Sequence, residues 1–366
     1  MEWGGLMEIL TGIAGPVLAF VLLVVPLIVV HELGHLIVAR LRGIDVPEFG
    51  IGFPPRLFTL LRGRRTELTI NALPLGGFVR MAGSEEGDTD PAGWERATLT
   101  SKVLVMVAGV AMNVVVAFLL MFVLSGPLAE RASILLEDVQ AGSPAAAAGL
   151  LPGDRILGLE GETFDRFDSP LQSLPGRAGE TVRVTVETPG QPAREVSMTL
   201  RTAAEAAGQG YMGVQIASID GAGPLQRPIV DAFGLAVTRT WDAGTSILGA
   251  LGTFITSPFR PSDGASGVAG PIGIAVGVSA AAGQLGFAGL LHIAALLSAN
   301  LAVLNLLPIP PLDGGRVAAL FLRRLLGEVR GRRVERQLVT AGAVLMLALF
   351  AWISLGDILN LFGVER

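Results

Sequence analysis

Long apolar runs alternate with charged segments along this chain of 366 residues. A helix needs roughly 20 predominantly apolar residues to cross a bilayer. Four runs of about that length carry no charge: Ile9 to Val30, Val103 to Ala129, Gly289 to Leu312 and Leu338 to Gly356. No Lys or Arg precedes Arg40, so the first run lacks the basic start of a signal peptide. The pattern therefore predicts a membrane protein with about four transmembrane helices, the first of them retained.

Short strand-like patterns occupy the segment between the first two runs. Phe58 to Leu61 and Glu67 to Asn71 flank a basic turn, which predicts a β-hairpin or small sheet against the membrane. An acidic, glycine-rich stretch from Ser84 to Gly93 follows and is expected to form a loop.

A long segment between the second and third runs has a different character. Leu135 to Val139, Arg155 to Leu159 and Thr181 to Glu187 have strand spacing, and Pro-Gly turns separate them. We expect one inserted β-rich domain, roughly Arg131 to Ser218, followed by an amphipathic helix from Pro228 to Ile255. The predicted division is a first membrane unit at 1–129, an external domain at 130–222, a helix with a connector at 223–288, and a second membrane unit at 289–366.

Basic residues set the expected orientation. They crowd the segments 40–102 and 316–336, whereas the amino terminus carries only Glu2 and Glu8. The positive-inside rule then places both basic loops in the cytoplasm. Four spans would leave both termini and the β-rich domain outside.

Composition narrows the chemistry. Half of the residues are hydrophobic and 16% are charged, below the roughly 25% of an ordinary soluble domain. The net charge of −5 shows no basic stripe, so nucleic acid is not an expected partner. Without cysteine, thiolate zinc sites and cysteine nucleophiles are excluded, and a metal would need His, Asp, Glu or backbone oxygen.

Two of the three histidines stand four residues apart in HELGH, at 31–35. On a helix this spacing puts both imidazoles on one face, where they can bind a single Zn²⁺, while the intervening glutamate reaches the attacking water. His31 and His35 are the predicted ligands and Glu32 the general base. Ionisable groups at the end of an uncharged span are costly in hydrocarbon, which favours a functional role.

A catalytic zinc needs a third protein ligand. Leu41 stands where one large soluble class carries a third His, and that class is excluded. Glu48 and Glu67 are candidates in the hydrophilic loop. Asp313 is favoured, because it directly follows the third span at a proline-rich break, and both the first and third spans would run inward to the same interface.

Together, HELGH, the segment Asn305-Leu-Leu-Pro-Ile-Pro-Pro-Leu-Asp-Gly-Gly and the inserted domain resemble the site-2 protease family of intramembrane zinc metalloproteases, in particular its bacterial sigma-regulating branch with a PDZ domain. The resemblance extends to Gly109-x-x-x-Asn113 and to Ser266-Gly-Val-Ala-Gly-Pro-Ile-Gly-Ile274. It implies Zn²⁺ with Asp313 as third ligand, Asn305 near the substrate backbone, and a multi-pass protein of the bacterial inner membrane. The expected fold is an α-helical polytopic membrane protein with a small membrane-associated sheet and one PDZ-like domain.

The expected activity is peptide hydrolysis in membrane-spanning substrates during regulated intramembrane proteolysis, with an anti-sigma factor or a signal-peptide remnant as suitable substrates. The segment from Gly142 to Ile156 resembles the helix and turn of a PDZ domain, which would accept a peptide carboxy terminus or only gate access. Asn113 could contact substrate or form an interhelical hydrogen bond, the role expected for Asn300. His292 is not expected to be a ligand. An inactive membrane adaptor and a metal transporter are the alternatives, and the intact HELGH and the external domain respectively argue against them.

Overall fold

The structure, a computed structural model, describes residues 3–83, 92–167, 170–207, 209–256 and 271–361. The predicted acidic loop lies outside these residues at 84–91, as does the start of the glycine-rich motif at 266–270. The chain forms two compact units, one comprising 1–121 with 236–366 and the other comprising 122–235.

The described residues form seven α-helices: α1 (Trp3–Leu41), α2 (Leu99–Ser125), α3 (Pro144–Ala147), α4 (Ile229–Thr256), α5 (Pro271–Leu306), α6 (Asp313–Leu326) and α7 (Glu328–Leu361). They also form eight strands: β1 (Glu48–Arg62), β2 (Glu67–Arg80), β3 (Glu130–Val139), β4 (Arg155–Leu159), β5 (Glu162–Thr163), β6 (Thr181–Glu187), β7 (Arg194–Thr199) and β8 (Val214–Pro224).

Three helical segments among the described residues are long and apolar enough to cross a membrane: Leu18–Leu41 in α1, Leu99–Ser125 in α2 and Gly286–Leu306 in α5. This is a polytopic membrane protein with a β domain. The fourth predicted run, Leu338 to Gly356, lies within α7, and the number of spans stays a prediction.

Two helices extend beyond the uncharged runs that predicted them. The first run ends at Val30, whereas α1 continues to Leu41 and the apolar window extends with it. HELGH therefore lies inside a continuous helix. The third run begins at Gly289, whereas α5 begins at Pro271 and bends at Gly286, whose φ of 60° and ψ of −150° are open to glycine.

In the first unit, β1 and β2 form an antiparallel sheet whose register doubles back. Phe49 pairs with both Leu68 and Val79, so the start of β1 lies between the two halves of β2. The end of β2 is therefore an edge of the sheet. A buried cluster that includes Ala39, Val46 and Val105 packs α1, the sheet and α2 together.

The second unit contains an antiparallel sheet in the order β7-β6-β4-β3-β8, with β5 paired to β4. Alternate residues of β6, namely Val182, Val184 and Val186, point into its core, as expected for a sheet with one buried face. Ser143 caps the start of the short helix α3, and its hydroxyl accepts a hydrogen bond from the amide of Ala146 at 3.1 Å. The comparison with a PDZ domain stays a prediction.

Candidate metal centre

Helix α1 presents His31 and His35 one turn apart on the same face. Both are buried, and their Nε2 atoms are 3.2 Å apart. Asp313, the first residue of α6, brings Oδ2 to 3.0 Å from Nε2 of His31 and 3.1 Å from Nε2 of His35. Three potential ligand atoms from residues far apart in sequence thus meet at one point.

The Nδ1 atom of His35 lies 2.7 Å from the backbone oxygen of Val105 in α2. A carbonyl oxygen can only accept, so Nδ1 carries the proton and donates to it. In the neutral imidazole, Nε2 of His35 then has a lone pair directed toward Asp313. Such a second hydrogen bond is the usual way that a protein fixes the tautomer of a metal-binding histidine.

The corresponding atom of His31 contacts Asn113. The amide nitrogen of Asn113 lies 3.2 Å from Nδ1 of His31, while the amide oxygen is buried without a hydrogen-bond partner among the described residues. Because amide nitrogen and oxygen are assigned from the hydrogen-bond network, we assign the opposite orientation. Asn113 Oδ1 then accepts a hydrogen bond from Nδ1 of His31. The Nε2 atom of His31 therefore also has a lone pair available for a metal.

This arrangement fits a zinc ion. Two imidazole lone pairs and a carboxylate oxygen lie within about 3 Å of one another, and Asp313 Oδ2 is buried with no hydrogen bond of acceptable geometry in the described part of the chain. Three converging acceptors repel one another unless a cation lies between them. Two nitrogens and one oxygen are a donor set of catalytic zinc sites, which keep a fourth position open.

Two glycines allow α1 and α2 to approach this closely. A Cβ atom on Gly109 would lie 2.5 Å from Nε2 of His35 and 2.7 Å from Cε1 of His31, so the rings pack against bare backbone. On the facing helix, a Cβ on Gly34 would lie 2.5 Å from the backbone oxygen of Ala108. The sequence motif Gly109-x-x-x-Asn113 is thus explained by packing and by the contact with His31.

Glu32 directly follows His31 in α1 and is not a member of the ligand cluster. Its side chain is partly buried, and the end of β2 passes close to it, since a Cβ on Gly77 would lie 3.1 Å from Cγ of Glu32. A carboxylate so placed can accept a proton from a water in the site. The segment of the small sheet that adjoins Glu32 is thus the end of β2 at Gly77.

A tight turn sets the position of Asp313. A Cβ on Gly314 would collide with the backbone of Leu306 and Leu307, and one on Gly315 would collide with Ile309 and Pro310. Only residues without a Cβ fit there. The glycines following Asp313 therefore let the start of α6 pack beneath the end of α5.

The other predicted residues lie outside the ligand cluster. Asn305 is in the last turn of α5, partly exposed, and Asn300 and His292 are further back in the same helix. Glu48 is paired with Arg56 and Arg80 and accepts from Thr69, while Glu67 is paired with Arg56. The two glutamates weighed as alternative ligands thus serve the small sheet. Asn113, expected to contact substrate or another helix, is fully buried and contacts His31.

One partner of the site was missed. Val105 acts through its backbone oxygen, and every residue has one, so its role depends on the crossing of two helices and leaves no signal in the sequence.

Comparison with known proteins finds a peptidase family and several metalloproteases. The model of peptidase family M50 matches residues 19–349. A chloroplastic membrane metalloprotease of Arabidopsis thaliana is 32% identical over 93% of this chain and 79% of its own length. A protein of Synechocystis named as a zinc metalloprotease is 32% identical, with 93% of each chain covered, and one of Brucella suis is 29% identical over 94% of this chain and 96% of its own length.

Proposed function

Because this chain belongs to peptidase family M50, and is therefore a membrane zinc metalloprotease, we propose that it hydrolyses peptide bonds of membrane-spanning substrates within the bilayer. One observation carries the proposal. The converging atoms of His31, His35 and Asp313 are buried, and both histidines lie inside the candidate span Leu18–Leu41.

In the proposed mechanism His31, His35 and Asp313 hold the zinc ion. When bound, zinc supplies the Lewis acidity that polarises the scissile carbonyl and lowers the pKa of the attacking water. Glu32 accepts the proton of that water and passes it to the leaving amide nitrogen, so that the products are a carboxylate and an amine. No covalent bond forms between enzyme and substrate.

We propose that the substrate helix unwinds before cleavage. A helix hides each carbonyl in a hydrogen bond to the amide four residues later, and unpaired backbone groups cost several kcal/mol each in hydrocarbon. The end of β2 is a sheet edge beside Glu32 and can pair with an extended segment by strand addition. Asn305, at the broken end of α5, offers an amide that both donates and accepts.

The external domain is proposed to be PDZ-like and to select substrates. Strand β8 ends the order of its sheet, and Ile216 and Ile219 on it are 42% and 37% exposed. An apolar sheet edge of this kind suits the carboxy-terminal segment of a peptide. The protein would reside in a bacterial inner membrane with this domain and both termini outside and the zinc site near the cytoplasmic face. An anti-sigma factor or a signal-peptide remnant would suit as substrate.

A cleavage assay with purified protein tests the function. Wild-type protein should cut a single-span substrate in detergent or vesicles, and a chelator should stop the reaction. Glu32→Gln should abolish cleavage and keep about one zinc per chain, because Glu32 acts on water and is not a ligand. His31→Ala and Asp313→Ala should lose both zinc and activity.

The assay has a clear negative outcome. Wild-type protein that holds no transition metal, together with a His31→Ala variant that cleaves normally, would refute the assignment. If the assignment holds, mass spectrometry of membrane peptides that accumulate in cells with the Glu32→Gln variant identifies natural substrates.

A further inference from the structure

A basic pocket lies where α1 ends beside the turn between β1 and β2. It has a volume of about 560 Å³ and is separate from the zinc ligands. Leu36 and Ile37 of α1 form an apolar wall, and the remaining lining consists of Arg40 and the turn residues 63–66. The pocket thus combines a hydrophobic side with a cationic side.

The arginines on the cationic side of the pocket have no carboxylate partner among the described residues. Arg40, Arg64 and Arg65 make no ion pair with any carboxylate in the ranges that the structure describes, whereas Arg56, Arg62 and Arg80 of the same sheet pair with its two glutamates. Those two glutamates are therefore already engaged. An anion that enters the pocket meets three guanidinium groups that pair with no carboxylate of the described residues.

The turn that carries these arginines is held in place. Gly63 donates its amide to the backbone oxygen of Thr66 at 3.0 Å, which leaves Arg64 and Arg65 at the tip of the hairpin. The hydroxyl of Thr66 donates to the backbone oxygen of Val46 at 2.5 Å and accepts from Arg40. The backbone of the turn and the side chain of Arg40 are thus in place before any ligand binds, which lowers the entropic cost of binding.

The position of the pocket indicates the kind of ligand. Arg40 is one residue before the end of the candidate span Leu18–Leu41, where polar headgroups meet the hydrocarbon. Strand β1 exposes large apolar side chains next to the turn: Leu57, Phe58, Leu60 and Leu61. Apolar side chains of this kind favour the acyl chains of a bilayer, and the arginines above them are at headgroup level.

We propose that this pocket binds the headgroup of an anionic phospholipid. The phosphate accepts hydrogen bonds from the guanidinium groups of Arg40, Arg64 and Arg65, which are suited to bidentate contacts. The first acyl-chain carbons lie on Leu36 and Ile37. The bound lipid fixes the hairpin at the membrane surface. It also contacts Arg40, which is five residues after His35 in the same helix.

Native mass spectrometry of the full-length protein tests this proposal, with phosphatidylglycerol and phosphatidylcholine as the probes. Each arginine near an anionic surface contributes about 1 kcal/mol, which corresponds to about fivefold in affinity. Arg64→Gln should therefore weaken phosphatidylglycerol binding about fivefold, and the triple variant Arg40→Gln, Arg64→Gln, Arg65→Gln on the order of a hundredfold. Arg62→Gln is the matched control, since Arg62 is adjacent in sequence but does not line the pocket, and it should bind as wild type does.

Four results would overturn the proposal: equal affinity for the two lipids, wild-type affinity in the triple variant, an equal loss in Arg62→Gln, or displacement of the lipid by inorganic phosphate. Inorganic phosphate should not displace the lipid, because it has no acyl chain to contact Leu36 and Ile37; displacement would identify a free-phosphate site instead. Arg64→Gln alone decides the matter if the triple variant does not fold. The readout is lipid mass, so it is independent of proteolysis.

Discussion

The imidazole of His31 depends on Asn113, and this dependence gives a prediction at the scale of one residue. With Asn113→Ala, the ring loses the acceptor that fixes its tautomer, and zinc affinity should fall about 10- to 100-fold. Asn113→Asp should restore most of it, because a carboxylate oxygen also accepts from Nδ1. Competition with a fluorescent chelator measures both.

Asn300→Ala is the matched control for that measurement, since Asn300 is an amide of α5 outside the ligand cluster. It should leave zinc affinity unchanged. If Asn113→Ala binds zinc as tightly as Asn300→Ala does, the contact at 3.2 Å does not orient the ring.

The role of a single residue can be predicted from sequence when the pattern that reveals it is local in the chain. HELGH is local, so its spacing on a helix indicates a metal site without further information. The choice of Asp313 over Glu48 needed the order of the spans as well. That Asn113 would face His31 was not predictable, because the contact depends on how α1 and α2 rotate about their axes, and Gly34 and Gly109 set only how closely they pack.

At the scale of the elements, α6 is attached to the turn Trp94–Arg96 by a charge pair. Arg323 donates to both carboxylate oxygens of Glu95, at 2.7 and 3.2 Å, and Arg332 lies 3.2 Å from the same group. The hydrogen bond from Arg323 lowers the pKa of Glu95 below its ordinary value of 4.5. A group whose pKa is lowered by folding stabilises the fold above its unfolded pKa, and this contribution is lost as the pH falls through the folded pKa.

Glu95→Gln should therefore destabilise the protein near neutral pH and have a diminishing effect below about pH 4. The loss in free energy of unfolding should stay below about 1 kcal/mol, because Glu95 is partly exposed and solvent screens the pair. Thermal unfolding of both proteins at several pH values provides the comparison. A difference that is the same at acidic and neutral pH would show that the carboxylate charge is not the cause.

The proposed unwinding of the substrate helix gives a prediction about the substrate sequence. A single-span substrate with Gly or Pro near the scissile bond should be cut faster than one with a uniform Leu helix, since it opens at lower cost. Asn305→Leu should slow cleavage with zinc content unchanged. Cleavage rates of a matched substrate pair at equal binding decide the question, and equal rates for the two substrates would contradict it.

Strand prediction succeeded where alternation was strong. The ranges expected for β4 and β6 are the observed ones, because β6 buries every second residue in the core. Strands β7 and β8 were missed, since their exposed faces and neighbouring glycines blur the pattern. The uncharged run at the start of the chain ends before α1 does, because polar residues at 31, 32 and 35 interrupt the hydropathy without interrupting the helix.

At the scale of the whole molecule, orientation can be tested by labelling, because the native chain has no cysteine. Cysteine at Glu162 in the inserted β-rich domain, which is proposed to be external, should react with a membrane-impermeant thiol reagent added to intact cells. Cysteine at Arg330, in the second basic segment, should react only after the membrane is permeabilised. Reversed labelling would place the zinc site at the opposite membrane surface.

The order of membrane helices and the inserted domain was easier to predict than the boundaries between them. Long apolar runs indicate membrane helices whatever surrounds them, and the inserted β-rich segment differs in composition from its neighbours. The compact unit at 122–235 nevertheless includes the end of α2 and the start of α4. Such boundaries depend on packing between segments that are distant in the chain, which composition does not record.

The distance along the chain between the zinc ligands has a consequence for biosynthesis. His31 and His35 are made early, whereas Asp313 follows about 280 residues later. At about 5–20 residues per second, a ribosome needs roughly 15 to 60 s to cover that distance. During this interval the nascent chain has two of the three proposed ligands and cannot form the complete centre. We therefore expect the newly inserted chain to be inactive toward neighbouring membrane proteins until α6 emerges.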